Sequence, residues 1–178
     1  MIQLLFALTQ FVFAAPQQAV TYYDRPCYSD DGDVLTTHLQ TQDGKWVLTH
    51  VAYEEDACKQ SYLAFEIQYG VRTEGGQVDM TVTESSYTPL TEEVAEALNM
   101  VRYCDYTDWK RNEKKVVSGY LCDEYKAPNV GDKTYSIFKS EQKDGMELFY
   151  IGTSSQEGSG KSPFQRHKKY ERLPFYKR

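Results

Sequence analysis

The sequence predicts an all-β, mainly antiparallel fold of about seven or eight strands with one short helix, arranged as a barrel or a sandwich. Three observations carry this reading. Apolar and polar residues alternate over several runs, Asp-Gly and Gly-Gly pairs punctuate them, and a single segment has helical spacing. The 178 residues are 40% hydrophobic and 14% aromatic, with 15 Tyr. That suits one domain with a real core and is too aromatic for a disordered chain. A mean hydropathy of -0.63 excludes a polytopic helical membrane protein.

The first element is a leader. Residues 2–15 hold no charged side chain and are dense in Leu4, Leu5, Phe6, Leu8, Phe11, Val12 and Phe13. This run is too short to span a bilayer, which takes about 20 apolar residues, and it suits a secretory signal over residues 1–14. Val12 and Ala14 fit the −3 and −1 positions for cleavage after Ala14. The chain is therefore expected to be secreted or periplasmic. Cys27, Cys58, Cys104 and Cys122 agree with export, because an even number of cysteines without a C-x-x-C spacing reads as two disulfides. Three connectivities exist, and sequential pairing is favoured because each pair flanks a segment that returns on itself.

The body follows as strands and turns. Val34 to Thr41 and Lys45 to Tyr53 flank Gln42-Asp43-Gly44, a hairpin signal because Asp-Gly accepts positive φ. Leu63, Phe65, Ile67, Tyr69 and Val71 alternate with polar or small residues, and after Glu74-Gly75-Gly76 so do Val78, Met80 and Val82. Thr91 caps a helix with Glu92 and Glu93 in its first turn and Val94, Leu98 and Val101 on one face. Strands resume near Val116 to Cys122, Tyr135 to Lys139 and Met146 to Gly152, the last two joined by Lys143-Asp144-Gly145. Alternation without βαβ spacing makes the sheet antiparallel.

Charge divides the chain. Residues 1–157 carry 13 basic and 25 acidic side chains, and residues 158–178 carry 7 basic and 1 acidic. This basic, aromatic tail is read either as an arm for an anionic surface or as an extension packed on the acidic body.

Catalytic chemistry finds no support. His38 and His50 sit 5 and 6 residues from the Asp43-Gly44 turn, lack a carboxylate at ligand spacing, and read as sheet-surface histidines. Asp30-Asp31-Gly32-Asp33 lacks the Glu that ends a calcium loop and reads as a turn. Gly158-Ser159-Gly160-Lys161-Ser162 has Ser155 where a phosphate loop needs glycine, and reads as a flexible loop. Glu54, Glu55 and Asp56 lie in sequence with no fixed separation and read as a turn. No enzyme, cofactor, metal or nucleic-acid partner is expected.

One family resemblance runs through residues 20–75. Asp43-Gly44-Lys45-Trp46, Tyr53-Glu54-Glu55-Asp56-Ala57-Cys58, Tyr62-Leu63 and Gly70 together resemble the adenomatosis-polyposis-coli down-regulated domain. Tyr22-Tyr23-Asp24 stands where that family has a Gly-x-Trp strand before its earlier cysteine. The resemblance implies a lipocalin-like β-barrel over residues 15–157, pairing of Cys27 with Cys58, and an apolar pocket for lipids. Vertebrate members antagonise Wnt signalling, a role nothing else in this chain suggests.

The expected function is non-enzymatic binding of a small apolar or amphipathic ligand inside the barrel. Leu63, Phe65, Ile67, Tyr69, Met80 and Val82 are the expected lining. The alternative is a filled-core interaction protein that engages anionic partners through Lys161, Arg166, Lys168, Lys169, Arg172, Lys177 and Arg178. The oligomeric state is not legible.

Overall fold

A computed structural model describes residues 19–30, 32–55 and 57–178. The leader expected over residues 1–14 lies outside the described residues, as do Asp31 and Asp56 of the acidic turns. Five consecutive strands come first, β1 (Thr21–Asp30), β2 (Asp33–Gln42), β3 (Lys45–Tyr53), β4 (Ser61–Glu74) and β5 (Gln77–Pro89). An insert of residues 90–132 separates them from β6 (Lys133–Lys143), β7 (Met146–Thr153) and β8 (Phe175–Lys177). Each strand pairs antiparallel with the next, β5 meets β6 at Thr81↔Lys133, and β8 meets β1 at Tyr23↔Lys177. The result is an antiparallel ring of eight strands with one α-helix, a barrel-like arrangement.

The glycine turns lie together at one end. Asp43-Gly44, Gly75-Gly76 and Asp144-Gly145 are two-residue connections between directly paired residues. Gly75 and Gly76 have φ of 56° and 79°, the left-handed pair that a tight hairpin matched to strand twist requires.

The segment 158–178 is part of this ring. Lys169–Tyr170 pairs with Thr153 and Gly152 of β7, and β8 lies between β7 and β1. Phe175 is 2% exposed, and Arg166, Lys177 and Arg178 pair with Asp79, Glu147 and Asp24. The run Gly158–Ser162, expected to be flexible, is pinned instead. Tyr135 donates its backbone N–H to the Gly160 carbonyl at 2.8 Å, and Gly160 donates to that of Gln165 at 2.7 Å. The ring of His167, buried against Ser136 Oγ at 2.9 Å, fills the space that a Cβ on Gly160 would occupy.

The ring is complete through only part of its height. Pairing of β1 with β8 stops at Asp24, and pairing of β5 with β6 stops at Thr81. Beyond that level β1 to β5 form an open concave sheet, and the insert supplies the facing wall. Helix α1 (Glu92–Met100) is capped by Thr91 Oγ1, which accepts from the Val94 N–H at 3.2 Å. Its inward face is Ala95 and Leu98, whereas Val101, expected on that face, ends the helix and is exposed. The stretch Val116 to Cys122, expected as one strand, is two short pieces, Lys115–Val116 and Leu121–Cys122, broken at Gly119 with φ 80°.

Disulfides join Cys27 to Cys58 and Cys104 to Cys122, and such bridges mark an oxidising, extracellular-type environment. The first ties the bulge in β1 to the β3–β4 connection. The second holds the insert around Trp109, whose backbone N–H donates to Asn99 Oδ1 at 2.7 Å and whose indole N–H donates to the Tyr103 carbonyl at 3.2 Å. Among the described residues no helix is long and apolar enough to cross a membrane.

Candidate ligand-binding cavity

Strand β3 spells out the interior from one end to the other. Trp46 belongs to a packed aromatic end, Leu48 to a small chamber, His50 to a junction and Ala52 to an open cup. The packed end contains Trp46, Phe138 and Phe149, with ring centroids 5.7–5.8 Å apart, and Tyr23 at 4.9 Å from Phe149. Edge and offset contacts of this kind fill the space between the rings, and an open cavity of about 300 Å³ lies on the outer side of this end, against Tyr23, Trp46, Phe138, Phe149 and the Asp43-Gly44 turn.

Above it lies the chamber, of about 170 Å³, lined by Arg25, Leu39, Leu48, Tyr69, Met80 and Phe175 among others. The cup is larger, about 530 Å³, with Leu35, Ala52, Leu63, Phe65, Ile67 and Tyr87 on its strand walls. Tyr103 and Tyr125 reach it from the insert, and the Phe65 ring lies tilted 4.6 Å from Tyr87 and edge-on 5.8 Å from Tyr125. His50 lines both spaces and stands between them.

Register explains why His50 and His38 part company. Thr37 pairs with His50 and His38 with Thr49, so the two histidines lie on opposite faces of the sheet. His38 faces outward, with Nδ1 2.6 Å from Asp24 Oδ1. His50 faces inward, with Nδ1 3.1 Å from Thr37 Oγ1, which contacts Tyr28 Oη at 2.8 Å. The expectation of two surface histidines fits His38 and fails for His50. Glu54 and Glu55 are exposed where β3 leaves the sheet.

Burial, with the nearby positive charge of Arg25, pushes His50 down to about 4. Burial also raises Tyr69 to about 12, so its phenol stays protonated at neutral pH. His50 is thus neutral in the folded protein at pH 7. The consequence for stability has a definite sign. Above pH 6.5 the imidazole is neutral in both states; below it the unfolded chain takes up a proton that the folded chain refuses until about pH 4. Stability attributable to His50 therefore falls by about 3 kcal/mol between pH 6.5 and 4. Urea denaturation at pH 7 and pH 4.5 checks this: His50→Gln is expected to lose less stability on acidification than the wild type. Equal losses would show that His50 does not carry the effect.

No family model and no curated protein matches the chain.

Of the residues expected to line a pocket, Leu63, Phe65 and Ile67 stand in the cup and Tyr69 and Met80 in the chamber. Val82 is buried but lines neither space. Its N–H donates to the Asp132 carbonyl at 2.9 Å and its carbonyl accepts from Gly131 at 2.8 Å, where the insert rejoins the ring. Sequence reasoning missed Arg25, His50, Glu171 and the tyrosines of the insert. The alternation of Tyr23 and Arg25 was a usable signal, obscured by the Pro26-Cys27 bulge that follows.

Proposed function

We propose that this protein is an exported, non-enzymatic carrier that holds a small amphipathic, lipid-like molecule in the neighbouring chamber and cup. The observation that carries the reading is the cavity itself. Its cup lies in the range of about 300–1,000 Å³ found for small-molecule sites, and its walls are aromatic and aliphatic, with His50 and the carboxylates of Asp30 and Asp33 as the polar groups beside the tyrosines. A ring of eight strands is just wide enough either to fill with side chains or to hold one ligand. Here the aromatic packing of the ring core lies at one end and the cup at the other. The resemblance to the adenomatosis-polyposis-coli down-regulated domain and the apolar leader point the same way, toward a secreted lipid-binding protein.

Binding of N-phenyl-1-naphthylamine, an uncharged fluorophore that brightens in apolar surroundings, tests the reading. Ala52 lies in the cup, so Ala52→Trp adds bulk to open space rather than to packed core. The variant is expected to bind the probe about tenfold more weakly, a change of about 1.4 kcal/mol, with its unfolding temperature unchanged. Binding to the wild type is expected to be insensitive to salt, because burial of an uncharged molecule is not screened. Absence of probe binding to the wild type, or equal binding by Ala52→Trp, would overturn the proposal.

A further inference from the structure

We infer that the ligand is a single-chain amphipath with a monoanionic carboxylate head, seated on Arg25 with its tail in the cup. This rests on the carrier reading and names the chemistry of its ligand. Arg25 lines the chamber, and its side chain is only 9% exposed. A guanidinium has five N–H donors. One Nη2–H goes to the carboxylate of Glu171, and the buried Nε–H has no acceptor. A buried donor without a partner is costly, and a buried cation more so. An acceptor oxygen on a molecule in the chamber relieves that cost.

The two partners in this ion pair are held very differently. Arg25 is clamped, its guanidinium carbon 4.2 Å from the ring centre of Phe175 and 5.4 Å from that of Tyr28. Glu171 sits in the irregular stretch between Tyr170 and Phe175 and is 34% exposed, so its carboxylate has water to turn to. The cation is buried and clamped, whereas its counter-ion is partly exposed at the chamber wall, with the Glu171 backbone N–H donating to the Ile151 carbonyl at 2.9 Å. Around them stand Leu39, Leu48, Met80 and Ile151, which suit the first methylenes of a chain, and the neutral imidazole of His50, which offers Nε2 for a second contact.

Charge selects the head. Arg25 and Glu171 together carry no net formal charge, so a carboxylate head leaves the site with one uncompensated negative charge and a phosphate dianion would leave it with two. The small chamber points the same way, because it admits a compact planar head and leaves the chain to the larger cup.

Displacement of N-phenyl-1-naphthylamine by dodecanoate and by dodecan-1-ol separates the head from the tail. The wild type is expected to prefer the acid by about tenfold or more, as a charge-assisted bond to a buried guanidinium implies. Arg25→Met, which keeps an unbranched stem against Phe175, is expected to bring the acid-to-alcohol ratio close to one. Glu171→Gln removes the competing carboxylate, is expected to raise the ratio above that of the wild type, and tests the idea even if Arg25→Met fails to fold. Equal affinity for acid and alcohol in the wild type, with the fluorophore bound, would overturn the head assignment and leave the carrier reading intact. A ratio unchanged by Glu171→Gln would equally overturn the assignment. Failure of the fluorophore and both chains to bind would overturn the two together.

Discussion

Replacing Phe175 with alanine is expected to destabilise the fold by about 3–5 kcal/mol, the range for truncating a fully buried phenylalanine. Phe175 is the one buried side chain of a strand three residues long, and that strand alone joins β7 to β1. It pairs with Phe149, packs in the cluster of Tyr23 and Trp46, and lies under the Arg25 guanidinium. Truncation therefore opens a cavity and loosens the backbone pairing between the two edges of the sheet, leaving the Tyr23 contacts with Glu147 and Phe149 to bridge them. Urea denaturation of Phe175→Ala beside Tyr176→Ala measures the effect, since Tyr176 is only half-buried. A loss below about 1 kcal/mol for Phe175→Ala would mean that the ring holds without its eighth strand.

Removing the second disulfide comes next in size. Cys104→Ala with Cys122→Ala is expected to cost about 2–5 kcal/mol, since the bridge closes a loop of 18 residues in an insert with little regular structure. The two tryptophans make the loss visible where it occurs. Trp46 belongs to the ring core and Trp109 to the insert core. In a Trp46→Phe background Trp109 alone reports, and its emission is expected to shift to the red below the temperature at which the sheet melts. Coincident transitions for Trp109 and for the sheet would show that insert and ring unfold as one unit. Because Tyr103 and Tyr125 wall the cup from the insert, the same double variant is expected to bind N-phenyl-1-naphthylamine more weakly.

Legibility in the sequence followed periodicity. The hairpins β2–β3 and β4–β5 were readable because polar and apolar residues alternate and the turns carry Asp-Gly or Gly-Gly. From that alternation came Leu63, Phe65, Ile67, Tyr69 and Met80. Strand β1 was missed because Pro26 and Cys27 break its period just after Arg25, the residue with the most polar chemistry in the chamber. Strand β8 was missed because three residues carry no period at all. The insert escaped for a related reason. Its tyrosines are placed by a disulfide, a helix cap and the Asn99–Trp109 hydrogen bonds, none of which leaves a regular pattern in sequence.

The way the ring closes also dictates the order of its assembly. Asp24 and Arg178, which meet across the closing seam, are 154 residues apart in the chain. Every other neighbour in the ring can form from nearby segments or after one loop is closed, but this seam must wait until the last of those residues has been made. Contacts this distant in sequence are slow to form. Until then β1 and β7 present bare edges, with unpaired N–H and C=O groups that accept any strand offered to them. A second copy of the chain can offer its own Phe175–Lys177 there, so exchange of β8 between molecules is the misassembly expected of this closure. It would yield dimers at high protein concentration during refolding.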